Sequence, residues 1–344
     1  MRTLPQNITH YRTYLRMMQA IETYLHNNNF LKVDLPVMLP ALIPESYLEV
    51  FETEYRYFDT RRSFYLAPSP ELLLKRLLVD GVGNCYYLGK AFRNSEPESS
   101  KHRGEFTMLE MYKVGADYLQ LADTVLEMLQ ALHVATRPKH TSSQMMRTYQ
   151  GISFDLSKWE KLTVAEAFKR YAQISAEELF DEEQFIASVR KKGYQTVRTD
   201  SSGEHTYSYE DLWSQIYANE IEKNLGTAGH PTLLYDYPIQ FASLAKPNAD
   251  GTTAARFEMY IAGVELGNCY GELSDWKLQH HRLVKEQQKR EASGKIAHVP
   301  DWGFIDVLKR GLPDCAGIAI GVERLGMIFA DVASIADIRL IEID

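Results

Sequence analysis

The chain has 344 residues, 45% of them apolar and 24% charged, and a net charge of −8 from 38 basic and 46 acidic side chains. This composition describes a globular protein of one large or two smaller domains and excludes disorder as the main state. The acidic balance offers no general attraction to a phosphate backbone. No run approaches the roughly 20 apolar residues of a membrane span, and the start, Met1 to Gln6, lacks the apolar core of a signal peptide. Cys85, Cys269 and Cys315 are scattered without CxxC spacing, against a disulfide framework or a structural zinc site. A cytoplasmic location is expected.

Tyr11, Tyr14, Leu15, Met18, Ile21, Tyr24 and Leu25 recur at helical spacing and stop at Asn27-Asn28-Asn29, which predicts a helix over 8–26. Phe30 to Leu35 reads as a short strand closed by Pro36. Ser69-Pro70-Glu71 combines a capping hydroxyl, a first-turn proline and an acid beside the positive end of a helix that runs to Gly81. Strands over 84–93 and 105–114 flank a polar loop, and a helix follows over 118–135. The segment 151–225 holds several helical patterns, including a Thr163-to-Glu166 capping box, and reads as an insertion. Strands return at 232–237, 256–261 and 264–270, the last two joined by a tight Ala262-Gly263 turn. A polar helix over 273–292 and a buried strand, 316–320, running into a helix at 321–330 complete the chain. Antiparallel-type strands interrupted by helices predict an α+β fold rather than a doubly wound parallel sheet.

The phosphate-loop, dinucleotide, HExxH and GxSxG signatures are absent. Three other constellations could carry chemistry. The first is Phe92-Arg93-Asn94-Ser95-Glu96, His102 and the strand from Glu105, on which Phe106, Met108, Glu110 and Tyr112 share one face. A carboxylate on such a face is costly without a partner such as a ligand cation, although an amphipathic strand with a solvated edge explains this segment equally well. The second is Arg256-Phe257-Glu258 with Gly263 to Asp275. If Ile261 pairs with Val264, Glu265 faces Tyr260 and has Glu258 as diagonal neighbour, roughly 7–8 Å away, a placement suited to Mg²⁺ that also touches phosphate. Glu272 has the opposite parity and needs a bulge at Gly267 or Gly271 to join them. An exposed charged hairpin is the plainer explanation, but it does not require Gly, Asn and Gly between its acids. The third is Gly317-Ile318-Ala319-Ile320-Gly321-Val322-Glu323-Arg324, where small residues let a flat ligand approach the strand and the arginine reach a phosphate. Taken alone, close strand-to-helix packing explains these small residues better.

In this order the constellations resemble the motifs of class II aminoacyl-tRNA synthetases, in the lysyl branch. Pro36 resembles the motif 1 proline of that family's dimer interface. Phe92-Arg93 through Glu110-Met111-Tyr112 resembles motif 2, and Gly321-Val322-Glu323-Arg324 resembles motif 3. The pattern Gly263-x-Glu265-x-x-Asn268 to Glu272-Leu273-x-Asp275 is similar to that of lysyl-type catalytic domains. Ser69-Pro70-Glu71, Gly311-Leu312-Pro313-Asp314-Cys315-Ala316-Gly317 and Ala319, where lysyl synthetases have glycine, are similar to the stand-alone paralogues that ligate (R)-β-lysine to elongation factor P.

The resemblance implies one catalytic domain over 1–344, an antiparallel sheet flanked by helices, a helical insertion at about 155–228 and no anticodon-binding domain. It implies ATP and Mg²⁺, lysine or β-lysine as substrate, elongation factor P rather than stably bound tRNA as acceptor, and a homodimer without membrane association. Arg93 and Arg324 would be the catalytic phosphate clamps. Arg93, Asn94, Ser95, Glu96, His102, Arg103, Glu265, Leu266, Gly321 and Arg324 would meet ATP, with Glu258 and Glu265 at the metal. Ser69, Glu71, Glu110, Tyr112, Asn268, Glu272 and Ala319 would line the amino acid. The chain departs from the pattern where Ser95 intervenes before Glu96, where Arg103-Gly104 stands for Asn-Pro, where Cys269-Tyr270 stands for Gly-Phe, and at Glu323 in place of Asp. These departures bear on the adenine contact and on the identity of the amino acid. The alternatives are the same ligase chemistry with another acceptor, or a regulatory paralogue without catalysis. Retention of Arg93, Glu258, Glu265 and Arg324 argues against the latter.

Overall fold

A computed structural model describes residues 1–95, 99–137, 144–200 and 203–343. Its contacts divide the chain into two compact units, Met1–Ser143 with Gly271–Asp344, and Gln144–Tyr270.

In the first unit β1 (Arg2–Thr3) precedes α1 (Ile8–Asn27), which buries Met17, Ile21 and Leu25 along one stripe. The strand expected over 30–35 is only β2 (Leu31–Lys32). Val33 N–H adds one further bond to the Tyr86 carbonyl, and Pro36 has no donor with which to extend the ladder. β3 (Met38–Leu39), β4 (Glu52–Tyr57) and β5 (Thr60–Leu66) form an antiparallel sheet of their own that no sequence pattern announced. β4 is exposed at nearly every position, so the alternation that marks a half-buried strand is missing. α2 (Glu71–Val79) leads to the predicted hairpin of β6 (Cys85–Phe92) and β7 (Glu105–Val114), in which Tyr87 faces Glu110. α3 (Tyr118–Thr136) starts at a capping box of Asp117 and Gln120.

The second unit opens with β8 (Met146–Tyr149), β9 (Ile152–Asp155) and β10 (Glu160–Thr163). Then come α4 (Val164–Ala167), with the expected Thr163–Glu166 capping box, α5 (Ala176–Phe180) and α6 (Glu182–Lys191). β11 (Val197–Asp200) and β12 (Gly203–Thr206) form a hairpin before α7 (Tyr209–Ile216). The segment expected to be helical therefore also carries strands, too short to show a period. β13 (Thr232–Pro238), β14 (Thr253–Ile261) and β15 (Val264–Gly271) follow. β10 pairs parallel with β13, and the β13–β14 and β14–β15 pairs are antiparallel. The core here packs aliphatic residues around an aromatic cluster: Phe168, Phe185, Tyr209 and Trp213 have ring centroids 4.9–6.1 Å apart.

The chain then returns to the first unit through α8 (Trp276–Ala292), capped by Asp275, α9 (Gly303–Lys309), β16 (Cys315–Gly321), α10 (Val322–Ala330) and β17 (Ile341–Glu342), which pairs with β1. β16 lies antiparallel to β7, β7 to β6, and β2 runs parallel to β6. α3 packs on β16, α10 on β7, and α1 lies against α3 and α10. The architecture is α+β, and each unit holds one parallel pair, β2–β6 in the first and β10–β13 in the second, among the antiparallel pairs that were expected.

The β14–β15 turn is held from outside: the Gly226 and Leu225 carbonyls accept the N–H groups of Ala262 and Gly263 at 2.9 Å. A Cβ on Gly226, at φ +70, would lie 2.7–2.8 Å from backbone atoms of Tyr260, Ile261 and Ala262. Gly226→Ala should therefore lower stability by at least about 2 kcal/mol. Gly193→Ala, at φ +88 with nothing within 4 Å, should cost about 1 kcal/mol of left-handed strain. Equal losses in denaturant unfolding would contradict the close approach at Gly226.

Candidate active site

In the first unit β7 and β16 set Tyr112 opposite Gly317 and Glu110 opposite Ala319, so these residues share a face. Glu110 is 3% exposed, and its carboxylate accepts hydrogen bonds from Ser69 Oγ at 2.7 Å and Tyr112 Oη at 2.8 Å. Ser69 Oγ also accepts the Glu71 N–H at 3.0 Å, at the start of α2. One turn on, Lys75 is 2% exposed and bridges Glu71 at 2.5 Å and Glu272 at 2.6 Å. Lys75 escaped the sequence analysis because Glu71 and Lys75 look like an ordinary i,i+4 surface pair. The Glu272 N–H binds the Cys315 carbonyl at 3.0 Å. Gly317 permits this packing, since a Cβ there would stand 2.3 Å from the Tyr112 ring and 2.7 Å from Glu272 Oε1. The small residue expected to receive a flat ligand thus receives two of the site's own side chains. Ala319 remains half-buried opposite Glu110.

The electrostatics follow from burial. Burial, then the charge of Glu71, pushes the Glu110 carboxyl up to about 8, against the bonds from Ser69 and Tyr112. Burial opposes the charge of Lys75, but Glu272 and Glu71 outweigh it and raise its pKa, keeping the ammonium protonated. Glu45, which sequence reasoning also missed, is pushed up to about 7 by burial and by Glu71. Its loop is pinned by Arg290, whose guanidinium donates to the carbonyls of Glu45 at 2.8 Å and Leu48 at 2.6 Å.

Arg93 follows β6, with its N–H on the Gly104 carbonyl at 2.9 Å and its guanidinium 5.5 Å from the Phe106 ring centre. Asn94 fastens the loop through its side chain to the Val50 carbonyl at 3.2 Å and its N–H to the Glu49 carbonyl at 3.0 Å. Ser95 sits at φ 58 with its N–H on Asn94 Oδ1 at 2.8 Å. Glu96 lies outside the described residues. The fold brings His102 and Arg324 together: His102 Nε2 is 2.6 Å from Arg324 Nη2, its Nδ1 2.9 Å from Ser99 Oγ. Arg103 braces the loop, donating to the carbonyls of Ser99 and of His102, the latter at 2.8 Å. Gly321 is the N-cap of α10, opposite Met108. Glu323 is buried and accepts the Thr107 N–H on both oxygens, at 2.9 and 2.8 Å, which ties α10 to β7.

The remaining predicted residues, Glu258, Glu265, Leu266 and Asn268, belong to the second unit. Ile261 pairs with Val264 and Tyr260 with Glu265 as expected. Leu266 then bulges, so that Met259 faces Gly267 and Glu258 faces Asn268. The bulge stands beside Gly267, one of the two positions that the parity of the acids required. It returns Asn268 and Tyr270 to the half-buried face of Glu265, while Leu266, Gly267 and Cys269 are buried. Glu258 is 8% exposed. Its Oε1 accepts Arg256 Nη2 at 2.6 Å, and its Oε2 accepts the hydroxyls of Tyr260 at 2.6 Å and Tyr217 at 3.3 Å. Burial, then the Glu258 charge, holds Tyr217, Tyr237 and Tyr260 well above the usual tyrosine range, so all three keep their protons.

Among the described residues no group of three His, Cys, Asp or Glu forms a metal cage. Glu258 uses three acceptor positions of the roughly four that a carboxylate offers, and Glu265 is half-exposed. Two such acids fit magnesium, which takes one or two carboxylates and completes its shell with phosphates and water. Also among the described residues, no helix is long and apolar enough to cross a membrane.

Over residues 5–341 the chain matches the family of class II tRNA synthetases (D, K and N), and it belongs to that family. Within it, the chain is similar to lysine–tRNA ligases. It is 34% identical to that of Moorella thermoacetica over 332 residues, 95% of this chain and 64% of the relative. It is 33% identical to that of Pelotomaculum thermopropionicum over 333 residues, 96% of this chain and 62% of the relative. The chain spans a little under two thirds of the length of these relatives.

The position of Glu110 makes stability depend on pH. Unfolded, its carboxyl releases its proton near 4.5, whereas folded it holds the proton up to about 8. Its contribution is complete below the unfolded value and is lost as the pH rises through the folded one. Glu110→Gln cannot ionise, so the Tm difference between variant and wild type should move in the variant's favour from pH 5 to pH 9. A difference constant over that range would contradict the raised carboxyl.

Proposed function

We propose that the protein is an ATP-dependent ligase that activates a lysine-type amino acid, (R)-β-lysine or lysine, as its adenylate and passes it to a lysine side chain of elongation factor P. The observation that carries the amino-acid part is the acid cluster around Lys75: Glu71 and the buried Glu272 stand against its one ammonium, and the buried Glu110 keeps its proton beside Glu71. Buried charges require partners, and this excess of acid suits a ligand that brings ammonium groups of its own. Membership of the family and similarity to lysine–tRNA ligases support the same substrate class.

In this proposal the amino-acid carboxylate attacks the α-phosphorus of ATP and pyrophosphate leaves. The acceptor amine then attacks the acyl carbon and releases AMP. Both steps depend on orientation and charge neutralisation more than on a strong base. Arg93 takes the α-phosphate and Arg324, in contact with His102, the γ-phosphate. Glu71 and Glu272 pair with the substrate's ammonium groups, Ser69, Tyr112 and Asn268 orient it, and Glu110 supports the pocket. Asn94, Ser95, Arg103, Leu266 and Gly321 lie along ATP. Glu258 and Glu265 hold Mg²⁺, which supplies Lewis-acid neutralisation of phosphate charge when bound.

The acceptor reading is supported by the resemblance of Ser69-Pro70-Glu71, Gly311 to Gly317 and Ala319 to the elongation factor P ligases, and by a net charge of −8, unsuited to general phosphate attraction. The protein would act in the cytoplasm as a homodimer. Exposed Ile8 and Leu15 on α1, with Ile341 and Ile343, offer apolar surface for the second copy. A second reading, transfer to tRNA, is favoured by the relatives being lysine–tRNA ligases.

Incubation with ATP, labelled β-lysine, elongation factor P and bulk tRNA should label elongation factor P, and ATP–pyrophosphate exchange should depend on a lysine isomer. Label on tRNA alone favours the second reading, and no exchange with any lysine isomer defeats both. Ala319→Gly removes the methyl group opposite Glu110 and should shift exchange toward α-lysine. Unchanged selectivity would remove Ala319 from the account of specificity.

A further inference from the structure

Glu258 is buried on β14, and a network reaches it from three directions. Arg256 holds Oε1 at 2.6 Å, and the Arg256 guanidinium lies 4.5 Å from the Tyr237 ring centre. Tyr260, two residues along the same strand, donates to Oε2 at 2.6 Å. Tyr217 reaches Oε2 at 3.3 Å, and its oxygen is 2.5 Å from that of Tyr260 and 3.3 Å from that of Tyr237. Tyr217 opens a π-helical turn, Tyr217–Ile221, directly after α7, and the Trp213 ring stacks on it at 4.7 Å and 13°. π-turns of this kind recur at functional sites.

We infer that Tyr217 and Tyr260 are positioning residues for Glu258, so that the segment Tyr209–Ile221 takes part in building the divalent-cation site. This rests on the ligase proposal, in which Glu258 is a metal ligand. The terminal torsion of a glutamate is broad, and an ion pair to Arg256 on one oxygen leaves the other to be fixed. A third cation there would compete electrostatically with a divalent ion. Two phenols fix Oε2 without adding positive charge, the outer-shell role by which hydrogen-bonded carboxylates hold metals. Trp213 and the π-turn limit the motion of the Tyr217 ring, so the hydroxyl is held where the carboxylate needs it.

The test uses the full chain, with Mn²⁺ as the probe and a non-hydrolysable ATP analogue present, free Mn²⁺ being read by electron paramagnetic resonance. Tyr217→Phe and Tyr260→Phe keep the rings and remove the hydroxyls. Each should weaken Mn²⁺ binding about 10-fold or more, and raised Mg²⁺ should restore pyrophosphate exchange to the wild-type kcat. Tyr237→Phe, whose hydroxyl meets Tyr217 rather than Glu258, should change Mn²⁺ affinity less. If circular dichroism shows that Tyr217→Phe does not fold, Tyr260→Phe decides. Unchanged Mn²⁺ affinity in the folded variants overturns the inference while leaving the ligase proposal standing. A wild type that binds no Mn²⁺ with the nucleotide overturns both.

Discussion

A buried ammonium held between two carboxylates organises the first unit. Lys75 is 2% exposed and touches Glu71 within its own helix and Glu272 from a segment some two hundred residues later. Taking such a charge out of water costs several kcal/mol, offset only when its partners are in place. The start of α2 must therefore stay beside Glu272, and the Glu272 N–H in turn is bound to Cys315. Gly317 follows from the same constraint, because Tyr112 and Glu272 occupy the space its side chain would need. Glu110, its oxygens held by Ser69 and Tyr112, is left in a place where burial and Glu71 favour its protonated form. Local helix capping, sheet register and pocket charge are here consequences of one arrangement.

The second unit holds its buried acid differently. Glu258 has one charged partner, Arg256, and two phenols where Lys75 has carboxylates. The contrast matches the two tasks proposed. An array that receives an ammonium-bearing substrate keeps acid in excess, whereas an acid that shares a metal with phosphates is better oriented by neutral donors than by further cations. The bulge at Leu266 belongs to the same design: it sets Asn268 opposite Glu258 and adds a polar neighbour without a second charge.

What was legible in the sequence had a period or a cap. The α1 stripe, the β6–β7 hairpin, the Thr163 capping box and the Ile261–Val264 register all carry local signals, and Glu110 and Tyr112 were placed on one face by alternation alone. The parity of Glu265 and Glu272 pointed to a bulge before any register was known. Features set by distant residues were hidden. Lys75 and Glu71 have the spacing of a surface pair, and only the approach of Glu272 shows that Lys75 is buried. Tyr217 stands in a segment with no motif, and its partners come from β13 and β14. β4 and the first four residues of β5 are almost wholly exposed, too little hidden surface to create a pattern, and Phe30 to Leu35 looked like a longer strand because apolar content does not reveal where a ladder finds its partner.

The central claim is that the acids around Lys75 are matched to a ligand's own ammonium group. Calorimetric titration with the sulfamoyl-adenylate analogues of lysine and of norleucine tests it directly, because the two differ at the side-chain ammonium. The lysyl analogue should bind at least about 100-fold more tightly, since the norleucyl one sets an apolar end against two carboxylates that share the single ammonium of Lys75. Equal affinities would contradict the account.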